Sequence, residues 1–269
     1  MISDITFGQY FPSNSIIHRL DPRIKFLLLI FIIVFIFIGN MYGIGLSLLF
    51  SIVIMILSKI PLKVYLKNLK VILPIIIFTG LINMLYVKTG TILVDWWKIT
   101  ITVDGIYKAI FMAVRIALLI IISSTLTYTT TPNDLTDAIE RLCKPLKFIG
   151  LGTVVHMLTM MMTIALRFIP TLIEETQKIM NAQKARGADI ESGGLISRVK
   201  ALVPILIPLI ILSVRRAYDL AEAMECRCYN GGVGKQRMKQ LHLRFSDFFA
   251  LLICLIWGAL IILIKVFLG

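Results

Sequence analysis

The sequence predicts an all-α polytopic membrane protein, with about five transmembrane helices and a cytoplasmic domain of long amphipathic helices. Three observations lead there. Residues 26–58, 71–87 and 248–264 hold no charge at all. The chain is 58% hydrophobic with a mean hydropathy of +0.90, whereas a soluble domain is only about half apolar. The basic residues, which give a net charge of +13, are also unevenly placed: 3 fall in 1–25, 4 in 59–70, 16 in 129–246 and 3 in 86–108. Basic loops stay on the cytoplasmic side. Five spans with a cytoplasmic N-terminus fit that distribution, and the positive charge is assigned to topology rather than to nucleic acid.

Residues 1–21 read as an irregular or strand-like segment with no compact apolar run of a cleavable signal. Asp21-Pro22 is a helix start, with aspartate as N-cap and proline in the first turn. A first span runs from Pro22 to about Gly39, and Gly39–Gly43 is a tight turn before a second span ending near Ser58. Lys59, Lys63, Lys67 and Lys70 mark a cytoplasmic loop, followed by a third span over 71–87 with Pro74 early in it. Alternation over Ile99–Val103 predicts a short hairpin on the far side, with Trp96 and Trp97 at the interface. The fourth span, 106–128, contains Arg115 close enough to its outer end to snorkel to the interface. The polar region 129–246 follows, and the last span covers 247–268. The domain scheme is therefore 1–128, 129–246 and 247–269.

Within 129–246 the expected helices are about 132–149, 152–187 and 195–229. The apolar stretches 151–166 and 201–214 fall short of the ~20 residues a span needs. Crossing by both would also put Arg186 and Arg227 on opposite sides of the membrane. They are read as amphipathic, partly embedded segments of cytoplasmic helices, with Pro170 a kink.

Both long helices end on an arginine between small residues, Ala185-Arg186-Gly187 and Cys226-Arg227-Cys228. Ala182 and Ala223 stand four residues before the arginines, and acidic residues lie upstream (Glu174 and Glu175; Asp219 and Glu222). An arginine at a helix C-terminus complements the dipole, so capping explains one such ending. Its recurrence marks both as candidate binding ends. The run Met157, Met160, Met161 and Met162 is a second candidate, because methionine makes adaptable contact surfaces; packing against the spans is the plainer use.

Several chemistries are excluded. Gly231-Gly232-Val233-Gly234-Lys235 lacks the first glycine and the final Ser or Thr of a phosphate loop. Cys226 and Cys228 have no second ligand pair at zinc spacing. His18, His156 and His242 pair with no nucleophile, and His156 reads as a satisfied packing residue. The spans contain only Arg115 and Lys265 as ionisable groups, too few for a self-sufficient transporter. The sequence predicts no enzyme, no cofactor and no metal site.

Three segments, in order, resemble the transmembrane T components of energy-coupling factor (ECF) transporters. They are Ser15-Ile-Ile-His18-Arg-Leu20-Asp21-Pro22-Arg23-Ile-Lys25; Arg167-Phe-Ile-Pro170-Thr-Leu running on to Ala182-Gln183-Lys184-Ala185-Arg186-Gly187; and Ala217-Tyr-Asp-Leu-Ala221-Glu-Ala-Met224-Glu225-Cys-Arg227-Cys-Tyr229. The second ending departs from the commoner Ala-Arg-Gly form. The resemblance implies a non-catalytic subunit in a bacterial cell membrane that joins two ABC-type ATPase subunits to one or several membrane S components. It further implies vitamin or micronutrient uptake, with ATP bound by the partners. Residues 129–246 would then be the coupling domain, with each X-Arg-X end docked on one ATPase. Segments 151–169 and 201–214, with Met157, Met160, Met161 and Met162, would contact the S component. A T component of cobalt or nickel uptake is the alternative within this class. A self-contained permease and a membrane scaffold are alternatives outside it.

Overall fold

The computed structural model describes residues 10–86, 91–96, 99–145, 150, 152–188, 194–230 and 244–268. Among them the order is α1 (Ile16–Arg19), α2 (Pro22–Ile38), α3 (Met41–Ser58), α4 (Leu62–Tyr86), β1 (Ile92–Trp96), β2 (Ile99–Thr102), α5 (Val103–Thr129), α6 (Pro132–Leu142), α7 (Gly152–Ala185), α8 (Leu195–Glu225) and α9 (Phe245–Leu268). The chain divides into two compact units, residues 8–135 with 240–269, and residues 1–7 with 136–239.

In the first unit, the Asp21 side chain accepts from Arg23 N and Pro22 opens α2, as the sequence predicts. The segment before it contains a single helical turn, α1, capped by Ser15, rather than an irregular run throughout. Gly39 ends α2 and Asn40 opens α3, so the glycine pair serves a turn. Gly43 also lets α9 approach: a Cβ there would sit 3.6 Å from Ile261. A Cβ on Gly258 would come within 3.0–3.1 Å of the Phe31 and Phe35 rings, which places the α2–α9 contact at that glycine. Ile36, Ile44, Leu118, Ile122, Trp257 and Ile261 form the core between α2, α3, α5 and α9.

Two boundaries differ from expectation. Lys63, Lys67 and Lys70 lie not in a loop but on the first turns of α4, which runs unbroken through Pro74 for 25 residues. No breaker separates Leu62 from Leu73, and i, i+4, i+7 spacing puts the three lysines on one exposed face. The opposite face carries Tyr65 and Asn68 to α5. Tyr65 Oη lies 3.1 Å from Thr125 Oγ1, and Asn68 Nδ2 donates to Tyr128 Oη and to Ser124 Oγ. The hairpin is antiparallel with an irregularity between Ile92 and Val94; Trp97 lies outside the described residues. Thr102 then caps α5, accepting from Gly105 N, so the fourth span starts at Val103 rather than 106. Arg115 does not stand free at the interface. It donates from Nη2 to Gly39 O at 3.0 Å, satisfying a carbonyl at the C-terminal end of α2, and its guanidinium lies 4.4 Å from the Phe111 ring.

Among the described residues, six helices are long and apolar enough to cross a membrane: 41–58, 62–86, 103–129, 152–185, 199–225 and 245–267. The 17-residue α2 is about 25 Å long by its rise, close to a hydrocarbon core of ~30 Å. The stretches 151–166 and 201–214, taken alone as too short, belong to helices of 34 and 31 residues. Pro170, Pro204 and Pro208 interrupt neither helix.

Candidate functional site

In the second unit, α6 ends at Leu142, short of the expected 149, and residues 146–149 lie outside the described residues. His156 of α7 meets Glu140 of α6, Nδ1 to Oε1 at 2.9 Å, so this histidine is satisfied by a carboxylate.

Among the described residues, polar contacts join α7 to α8 and to the segment just after it. Arg216 Nη2 donates to Glu175 Oε1 at 2.6 Å, and Tyr229 Oη donates to Met160 Sδ at 2.7 Å. The earlier residue of α7 meets the later residue of the α8 segment, so the two helices run antiparallel. Arg186 follows Glu175 by eleven residues, and Arg227 follows Arg216 by eleven. The Glu175–Arg216 crosspiece therefore joins equivalent positions of two segments offset by 41 residues. Each arginine stands roughly 16 Å along its helix from that crosspiece, on opposite sides of it. The two arginines are thus placed at matching distances on either side of the ion pair.

The two ends share a backbone geometry as well as a sequence. After Arg186, Gly187 takes the left-handed conformation at φ +85°. Gly187 N then donates to Lys184 O at 3.0 Å, and Ala188 N to Gln183 O at 3.0 Å. After Arg227, Cys228 is left-handed at φ +53°. Cys228 N donates to Glu225 O at 2.8 Å, and Tyr229 N to Met224 O at 3.1 Å. In each case the residue after the arginine bonds three back and the next bonds five back, the paired bonds of a left-handed C-cap. Both arginines thus occupy the cap position itself, where the chain leaves the helix. Ala185, Arg186, Gly187, Cys226, Arg227 and Cys228 are all exposed. Two guanidiniums, each beside a helix C-terminus, can form forked bonds to partner carboxylates.

The methionine run is divided. Met157, Met161 and Met162 are exposed, Met161 by 63%, while Met160 turns in to meet Tyr229. On α8, Ile207, Ile210, Ile211 and Val214 are each at least half exposed, a separate apolar surface on the other side of the crosspiece from the methionine run. No sequence pattern pairs Tyr229 with Met160. The crosspiece was partly legible: the 41-residue offset of the two endings pairs Glu175 with Arg216. Gly231 and the rest of the glycine turn, to Lys235, lie outside the described residues.

Comparison with known proteins finds relatives along nearly the whole chain. The family model described as cobalt transport protein (CbiQ) matches residues 13–240. The energy-coupling factor transporter transmembrane protein EcfT of Ruminiclostridium cellulolyticum is 54% identical over 249 residues, 92% of this chain and 91% of that protein. EcfT of Clostridium kluyveri is 48% identical over 271 residues and the whole of both chains. EcfT 1 of Listeria monocytogenes is 40% identical over 266 residues, 98% and 99% of the two.

Proposed function

This chain belongs to the family of energy-coupling factor transporter transmembrane proteins, and from that premise we propose that it transmits ATP-driven motion from two ATPase subunits to a substrate-binding S component. It is a multi-pass protein of the cell membrane. Under this proposal ATP hydrolysis belongs to the partners, and the N-terminus and the α6–α8 region face the cytoplasm. The single observation that supports the reading best is the placement of Arg186 and Arg227, eleven residues beyond either side of one ion pair. Two like ATPases form a two-fold dimer most simply, and symmetry in the partner asks for symmetry in the docking ends.

The proposed mechanism follows from the antiparallel pair. An ATPase carboxylate engages each arginine, so closure of the ATPases displaces the two ends toward or away from each other. The crosspiece makes α7 and α8 turn against one another about Glu175 and Arg216. Tyr229, two residues past Arg227, conveys the α8 displacement to Met160 directly. The exposed Met157, Met161 and Met162, with the apolar face of α8, contact the S component.

The test is ATP-driven uptake in vesicles holding the full complex, with small membrane proteins that co-purify identified by mass spectrometry. Vitamin-type S components and loss of uptake with Arg186→Glu or Arg227→Glu are expected. Undiminished uptake with both arginines reversed contradicts the proposal. The match to the cobalt transport protein family favours one second reading, cobalt uptake. ATP-driven accumulation of radioactive cobalt, in place of vitamins, is the outcome that selects it.

A further inference from the structure

The first unit contains an apolar cavity of about 470 Å³ among α1, α2, α3, α5 and α9. Its shape follows from how α3 and α9 meet. They are in contact where Ile261 packs at Gly43 and where Phe50 stacks on Trp257, ring centroids 4.7 Å apart. Beyond Phe50 they part, and Val53 and Leu57 of α3 face the cavity from one side while Phe249 and Ile253 of α9 face it from the other. Those four residues are also exposed on the outside of the unit. The cavity is therefore a cleft open sideways between two spans, backed by α2 and α5 and floored by α1.

The polar groups on its wall do not ask for a polar ligand. Lys25 Nζ donates to Thr129 O at 2.9 Å, and Thr125 and Thr129 donate to carbonyls of their own helix. What remains is a slot for hydrocarbon. At the same end of these helices stand three exposed cations: Arg19 at the end of α1, Lys59 after α3 and Arg244 before α9. A bilayer offers one molecule with an apolar chain and a negative head at that depth.

We propose that this cleft binds an anionic phospholipid, with one acyl chain between α3 and α9 and its phosphate among Arg19, Lys59 and Arg244. The occupant comes from the leaflet on that side, and the binding is independent of the ATPases and of the transported compound.

Trp257 reports on the chain, because it stacks on Phe50 at the closed end of the cleft. The full chain carrying Trp96→Phe and Trp97→Phe is reconstituted in phosphatidylcholine vesicles containing a small fraction of brominated phosphatidylglycerol or brominated phosphatidylcholine. The anionic lipid is expected to quench Trp257 at a concentration on the order of tenfold lower, given the attraction of three surface cations. Replacing all three cations (Arg19→Gln, Lys59→Gln, Arg244→Gln) is expected to remove that preference, and these exposed sites leave the fold intact. Ala250→Phe, which fills the cleft, is expected to remove the added quenching by both lipids. Equal quenching by the two lipids in the parent chain overturns the proposal, as does a preference that survives the triple replacement. A cleft reserved for a protein segment predicts that same equality in the chain reconstituted alone.

Discussion

The ends of α7 and α8 reach one backbone geometry from different residues. At the α7 end the left-handed position is filled by Gly187, which takes φ +85° without steric penalty. At the α8 end Cys228 takes φ +53°, where a Cβ crowds the following carbonyl oxygen at a cost of about 1–2 kcal/mol. At the α8 end Tyr229 also reaches Met160 across the helix pair. What the two share is the arginine in the cap position and the same distance to the crosspiece. The difference shows that one cap geometry is reached here from unlike flanking side chains. It also identifies the α8 end as the one tied to the methionine run.

The largest expected effect tests whether the ends are equivalent. Arg186→Glu and Arg227→Glu should each weaken ATPase binding by roughly 2–5 kcal/mol, as truncating a desolvated charge pair does. Equal losses in titrations of the separate ATPases support the symmetry; a loss confined to one arginine breaks it. Next come the left-handed positions. Gly187→Val should destabilise the α7 end by about 1–2 kcal/mol, whereas Cys228→Gly should relieve strain and stabilise the α8 end by roughly half to one kcal/mol. Hydrogen exchange at 183–188 and 224–229 reads each end separately. A stabilising Gly187→Val, or a destabilising Cys228→Gly, would mean that the caps are held by something other than backbone conformation.

The crosspiece should matter less for stability than for transmission. Glu175 and Arg216 are partly exposed, so a double-mutant cycle with Glu175→Gln and Arg216→Gln should give a coupling of about 1 kcal/mol. Uptake per ATP hydrolysed should nevertheless fall in both single variants, with both ATPases still bound. Smallest of all, Tyr229→Phe removes one hydroxyl–sulfur contact worth about 0.5 kcal/mol. It should lower protection at 224–229 and leave 183–188 unchanged; equal changes at both ends would sink the assigned asymmetry.

Much of this arrangement was legible in the sequence because the determinants are local. Asp21-Pro22 caps α2, and the hydrophobic runs fix the spans of the first unit. The paired Ala–x–x–x–Arg endings give the position of both helix C-termini, which the left-handed caps after Arg186 and Arg227 match. The errors have physical causes. Lys63, Lys67 and Lys70 suggested a loop because charge was weighed above helical spacing, yet all three fit one face of α4. Arg115 does reach toward the outer end of its helix, but nothing in that helix discloses its partner there, the carbonyl of Gly39 in another span. Tyr229 and Met160 are 69 residues apart, and no periodicity connects them. The same limit hid the cleft between α3 and α9, since a void has no residue of its own.

The most direct test is the mass of the intact, gently solubilised complex for the wild type, Arg186→Glu, Arg227→Glu and the double variant. Two ATPases are expected on the wild type, fewer on each single variant and none on the double variant, with the S component retained throughout. Two ATPases on the double variant would contradict this expectation and leave both arginines as helix caps alone.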